Sequence, residues 1–119
     1  MKRVLIVDDA SFIRLAVKTL LEKNGFEVVG EAANGDEGIR LYNELQPDIV
    51  TMDITMPGMS GIETLKQILQ LDPKAKVLML SAMGQEALVR DAIIAGAKSF
   101  IVKPYKDEQL IQTLNKILG

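Results

Sequence analysis

A chain of 119 residues, about half apolar and a quarter charged, fits one soluble globular domain that buries roughly two-thirds of the surface its unfolded form exposes. A net charge of -2, with no basic tail or stripe, excludes a general electrostatic pull toward nucleic acid or anionic membrane. Absence of cysteine excludes disulfides and thiol chemistry, and absence of histidine removes the commonest general base and metal ligand.

Val4-Leu5-Ile6-Val7 is all branched aliphatic and reads as a strand of a parallel sheet, buried on both faces. Met-Lys-Arg leads into it directly, without the hydrophobic region of a signal peptide, and no apolar stretch approaches the ~20 residues of a membrane span. A cytoplasmic location is therefore expected. Asp8-Asp9 follows the strand. Ser11 is the expected N-cap of a helix carrying Ile13, Ala16, Val17, Leu20 and Leu21 on one face, stopped by Asn24-Gly25. Phe26 to Ala32 partly alternates and suits an edge strand. Asn34 caps a second helix, with Asp36 and Glu37 favourable to its dipole and Pro47 ending it.

Asp48 to Met52 forms a third strand, ended by Asp53, and Ile54 to Gly61 is a loop punctuated by Pro57, Gly58 and Gly61. Ile62, Leu65, Ile68 and Leu69 mark a helix closed by Asp72-Pro73. Val77 to Leu80 is a fourth buried strand delivering Ser81. Leu88, Val89, Ala92 and Ile93 form a helix stopped at Gly96. Phe100 to Val102 is the last strand, ended by Lys103-Pro104, and Leu110, Ile111, Leu114, Ile117 and Leu118 face a closing helix. Met52, Met56, Met59, Met79 and Met83 read as core and loop filler.

Strict strand–helix alternation implies right-handed crossovers and an open, doubly wound α/β sheet, and sites in such sheets form outside the strand C-terminal ends. Asp8, Asp9, Asp53, Ser81 and Lys103 all fall there. Taken singly, each acid is ordinarily a cap or loop residue, Ser81 a turn residue and Lys103 a surface charge. Their joint placement points to a site. Three carboxylates without imidazole or thiolate favour a hard, oxygen-seeking cation, which Mg²⁺ suits while leaving room for phosphate oxygens. A flavin mononucleotide cradle is disfavoured, because the loop after strand one is acidic where backbone N–H groups should meet phosphate. A carboxylate in line with phosphorus can act as nucleophile, and phosphoryl transfer needs positioning and charge neutralisation more than acid–base machinery.

Ile-Val-Asp-Asp, Met-Asp-Ile-Thr-Met-Pro-Gly-Met-Ser-Gly, Leu-Ser-Ala and Ile-Val-Lys-Pro, in this order, resemble the receiver domain of bacterial two-component response regulators. The resemblance covers the whole chain and is nearest to chemotaxis members from Gram-positive and thermophilic bacteria. It implies a flavodoxin-like five-stranded sheet in the order 2-1-3-4-5 with five helices, residues 1–119 being a single stand-alone receiver domain. It also implies that Asp53 accepts a phosphoryl group from a histidine kinase and that Asp8, Asp9, Asp53 and the Thr55 carbonyl hold Mg²⁺. Lys103 would pair with phosphoryl oxygens, Ser81 would move to hydrogen-bond one of them, and a cis bond would precede Pro104.

The family's switch aromatic falls on Phe100, with permanent burial in the core as the alternative. Thr55 and Met83 fall where residues line access to the phosphoryl group. The expected partners are the kinase, a downstream target such as a flagellar motor switch, and a phosphatase, with no nucleic acid and no membrane insertion, the chain being a monomer. The function expected is a chemotactic phosphoacceptor switch rather than an enzyme. Three alternatives stand beside it: a phosphorelay intermediate passing its phosphoryl group to a phosphotransferase, an aspartate-nucleophile phosphatase, and a pseudo-receiver acting without phosphorylation. The adjacency of Asp8 and Asp9 counts against the phosphatase, which ordinarily has Asp-x-Asp, and the intact site residues count against the pseudo-receiver.

Overall fold

A computed structural model describes every residue from Met1 to Gly119. Strands β1 (Arg3–Val7), β2 (Glu27–Ala32), β3 (Ile49–Asp53), β4 (Val77–Ser81) and β5 (Ser99–Val102) form one parallel sheet in the order β2-β1-β3-β4-β5. Each strand is followed by a helix: α1 (Ser11–Lys23), α2 (Gly35–Leu45), α3 (Gly61–Leu71), α4 (Glu86–Ala95) and α5 (Asp107–Leu118). No helix is long and apolar enough to cross a membrane.

Alternate residues of the central strands feed two cores, as the twofold repeat of a strand demands. Val4, Ile6, Ile49, Leu78 and Leu80 pack with Val17 and Leu21 of α1 and Leu110 and Leu114 of α5. Leu5, Val7, Val50, Met52, Val77 and Met79 pack with Tyr42 of α2, Leu65 and Ile68 of α3, and Val89 and Ala92 of α4. Continuous aliphatic strands are thus buried on both sides, and their polar tips alone reach the crevice.

Local chemistry sets the helix ends. Asn34 Oδ1 accepts the Glu37 N–H at 2.9 Å and Ser60 Oγ that of Glu63 at 3.2 Å, capping α2 and α3. Gly25, at φ +86°, and Gly96, at φ +122°, supply left-handed stops after α1 and α4.

Two expectations need correction, and the alternative given for Phe100 falls. Ser11 is the first residue of α1 and not its cap. Ala10 holds that place, its carbonyl accepting from Ile13 and Arg14 while its own N–H donates to Asp8 Oδ1 at 2.9 Å. An acid of the candidate site therefore turns the chain that a hydroxyl was expected to turn. Gln46, left-handed at φ +48°, ends α2 one residue before Pro47. Phe100 is not permanent core. Only Ile101 of β5 is buried, and Phe100 and Val102 face out beside α4, Phe100 being 42% exposed.

Candidate functional site

The strand order reverses between β1 and β3, so the crevice opens at their C-terminal ends. Register then fixes what lines it. Val7 pairs with Met52, which sets Asp8 beside Asp53; Asp53 pairs with Leu80, and Ser81 with Val102, one residue before Lys103. The carboxylate oxygens of Asp8, Asp9 and Asp53 lie within 4.8 Å of one another. Lys103 Nζ stands 3.6 Å from Asp8 Oδ2 and 3.7 Å from Asp53 Oδ2. The Lys103 N–H donates to the Ser81 carbonyl at 2.7 Å, locking the last two tips together, and the Lys103-Pro104 bond is cis.

Burial grades the three acids. Asp8 is 3% exposed, Asp53 half-buried and Asp9 exposed. Arg14 donates its guanidinium N–H to the Asp8 carbonyl, and Ala10 donates to Asp8 Oδ1. Asp8 Oδ2 accepts no hydrogen bond. Burial pushes the Asp53 pKa up; the Lys103 charge pulls it back, Asp8 and Asp9 push it up, and the Thr55 backbone N–H lowers it. The net direction is upward, so one ammonium does not settle three acids. A buried carboxylate oxygen without a donor, beside two further carboxylates in a chain without histidine or cysteine, is a donor set that fits a hard divalent cation.

Ser81 is fully buried and its Oγ has no hydrogen-bond partner, a state that costs roughly 1–3 kcal/mol until one is found. Thr55 is exposed and its Oγ1 accepts from Gln85 Nε2 at 2.6 Å, whereas Met83 is exposed without a polar contact to offer. Beyond Ser81, a groove of 610 Å³ runs between the β4–α4 loop, α4 and β5, lined by apolar Val89, Ile93, Ile94, Phe100 and Val102.

Two residues of this region were not singled out from sequence. Gly61 looked like loop punctuation. Its missing Cβ instead lets α3 begin against the β3 tip, where a methyl group would lie 2.2 Å from the Asp53 carbonyl. Its N–H also donates to the Ile54 carbonyl at 2.7 Å. The sequence gives Gln85 no role of its own, since one of its two partners, Thr55, lies 30 positions away.

An open doubly wound sheet with three acids, a lysine and a withdrawn serine at its switch point defines a class of domain. Residues 4–115 match the family described as the response regulator receiver domain, and the chain belongs to that family. Among its relatives it is similar to the chemotaxis protein CheY of Thermotoga maritima, 57% identical over 116 residues, covering 98% of this chain and 97% of that one. It is likewise similar to the chemotaxis protein CheY of Bacillus subtilis, 56% identical over 117 residues, with 98% of each chain covered. The solved CheX-CheY-BeF3-Mg complex of Borrelia burgdorferi contains a chain that superposes with a TM-score of 0.94, 41% identical, covering 99% of this chain and 90% of that chain.

Proposed function

We propose that residues 1–119 act as one receiver domain, a two-component switch phosphorylated on Asp53 by a histidine kinase and working in chemotaxis. The observation that carries the reading is the convergence of Asp8, Asp9, Asp53 and Lys103 beside a buried serine hydroxyl that lacks a partner. Near-full-length similarity to CheY proteins supports chemotaxis over a phosphorelay role. That a CheY relative is described with BeF3 and Mg supports the same site chemistry here.

Asp8, Asp9 and Asp53, with the Thr55 carbonyl two residues past Asp53, would hold Mg²⁺, which when bound supplies positive charge against phosphoryl oxygens. An Asp53 carboxylate oxygen attacks the phosphorus of a phosphohistidine donor. The new P–O bond forms as the P–N bond breaks, and the imidazole leaves neutral after taking up one proton. Lys103, already 3.7 Å from Asp53, neutralises a phosphoryl oxygen in place. The Ser81 hydroxyl gains its missing partner by moving toward the phosphoryl group. That gain is available only in the phosphorylated protein, so phosphorylation shifts the population toward a rearranged β4 tip.

The rearrangement reaches the groove with Phe100, where we place the downstream target. A flagellar motor switch is the target expected, and the complex of the Borrelia relative with CheX supports a further partner, for which we infer a phosphatase. The site is a phosphoacceptor that catalyses only its own gain and loss of phosphate, in the cytoplasm. Incubation with acetyl phosphate and Mg²⁺ followed by intact mass tests the reading. The parent should gain one phosphate and Asp53→Asn none; a phosphorylated Asn variant refutes it.

A further inference from the structure

Gln85 sits at the N-cap position of α4 without capping it; its side chain turns back over the crevice. Its orientation is fixed by chemistry. The Ala82 N–H can only donate, so the atom 2.7 Å from it is Oε1. Nε2 is then the atom that donates to Thr55 Oγ1 at 2.6 Å. One amide thus ties the β4–α4 loop to the loop after β3. Thr55 lies two residues past Asp53, and Ala82 one past Ser81.

The consequence concerns Ser81. Its Oγ is fully buried and unpartnered, and the peptide group joining it to Ala82 is the one that Gln85 holds. The carbonyl of that same peptide group accepts the Lys103 N–H. A displacement of the β4 tip that carries the hydroxyl toward a group on Asp53 moves that peptide and lengthens the bond from Ala82 to Gln85. We propose that Gln85 is a positioning residue, a latch that keeps Ser81 withdrawn while Asp53 is free and releases Ala82 and Thr55 when Asp53 is phosphorylated. The inference rests on the reading of Asp53 as phosphoacceptor. Two neutral hydrogen bonds of ordinary strength bias a two-state equilibrium by about 5- to 30-fold.

The test compares the parent, Gln85→Ala, Thr55→Val and the double variant. Phosphate uptake from acetyl phosphate with Mg²⁺ is followed by intact mass, and the Ala82 amide by NMR in the metal-free, unphosphorylated protein. Without the latch the competent arrangement is populated before phosphate arrives, so Gln85→Ala should take up phosphate about 5- to 30-fold faster. Thr55→Val should give part of that gain, and the double variant no more than Gln85→Ala alone. The Ala82 amide should exchange with solvent faster in Gln85→Ala. A side chain that merely stabilises the fold would lower the unfolding midpoint and leave uptake unmoved. That result, slower uptake, or effects of the two substitutions that add, overturns the latch. If the parent takes up phosphate and Gln85→Ala does so at the same rate, the latch alone is wrong; if the parent takes up none, the phosphoacceptor reading falls and the latch with it.

Discussion

Replacing Asp53 by asparagine keeps the shape of the side chain and removes its charge, which separates the electrostatics of the cluster from its packing. The Asp53 carboxylate lies within 4.8 Å of those of Asp8 and Asp9 and 3.7 Å from the Lys103 ammonium. At an effective dielectric of about 20, buried Asp8 repels it by about 3.5 kcal/mol and Lys103 attracts it by about 4.5 kcal/mol. Exposed Asp9, nearer the water limit, adds about 1 kcal/mol of repulsion. These contributions cancel, and burial decides the sign. It raises the Asp53 pKa above 3.8, so the folded state holds the proton more tightly than the unfolded chain. A raised carboxyl contributes stability in full below pH 3.8 and loses it as pH rises through the folded pKa.

Without a divalent cation at pH 7, Asp53→Asn should therefore lie within about 1 kcal/mol of the parent, on the stabilised side, and the gap should close toward pH 3. With free Mg²⁺ at about 100 times its Kd the parent should gain about 2.7 kcal/mol, and the variant less than half of that. Urea unfolding across pH, with Mg²⁺ or with chelator, measures both. A variant destabilised by about 3 kcal/mol in chelator, or an equal Mg²⁺ gain in the two proteins, refutes the reasoning.

Three further outcomes are expected. Gly61→Ala drives a methyl group into the Asp53 carbonyl and should cost about 1–3 kcal/mol in urea unfolding and slow phosphate uptake; parent-like stability would show that α3 can retreat. Met83 cannot position attacking water over Asp53, so Met83→Glu should shorten the phosphoryl lifetime by about 10-fold, well below what a fully placed general base supplies, and equal lifetimes would sink the idea. Tyr42 donates its hydroxyl to Asp72 Oδ2 at 2.7 Å, which lowers the Asp72 pKa and, with burial, raises that of Tyr42. Asp72 thus contributes stability above pH 3.8 that is lost as pH falls through its folded pKa. Tyr42→Phe should lower the urea midpoint at pH 7 and flatten the loss of stability below pH 4.

The legible parts of this chain are those where one segment decides its own fate. Val4 to Val7 and Val77 to Leu80 have no face to offer water, so their burial and the emergence of Asp8 and Ser81 at their ends follow from composition alone. Asn34 and Gly25 act within their own turns and were readable for the same reason. The misread residues are those whose role is settled by a second segment. Ser11 is a good cap, but a carboxylate three residues upstream already turns the chain. For Phe100 the sequence leaves a switch position and permanent burial both open, and only the groove beside α4 decides against burial. Gly61 reads as a loop breaker until the β3 tip is seen lying where its Cβ would be.

These residues decide whether the strand tips meet in working geometry. A chain altered only at Gly61 and Gln85 would keep every acid, the serine and the lysine that mark the family. It would nevertheless lose the close approach of α3 to Asp53 and the tie that holds Ala82 to Thr55. On the proposed reading the acids, serine and lysine supply the phosphoryl chemistry, and the loops between them, through contacts as particular as one amide and one missing methyl, set how readily it switches.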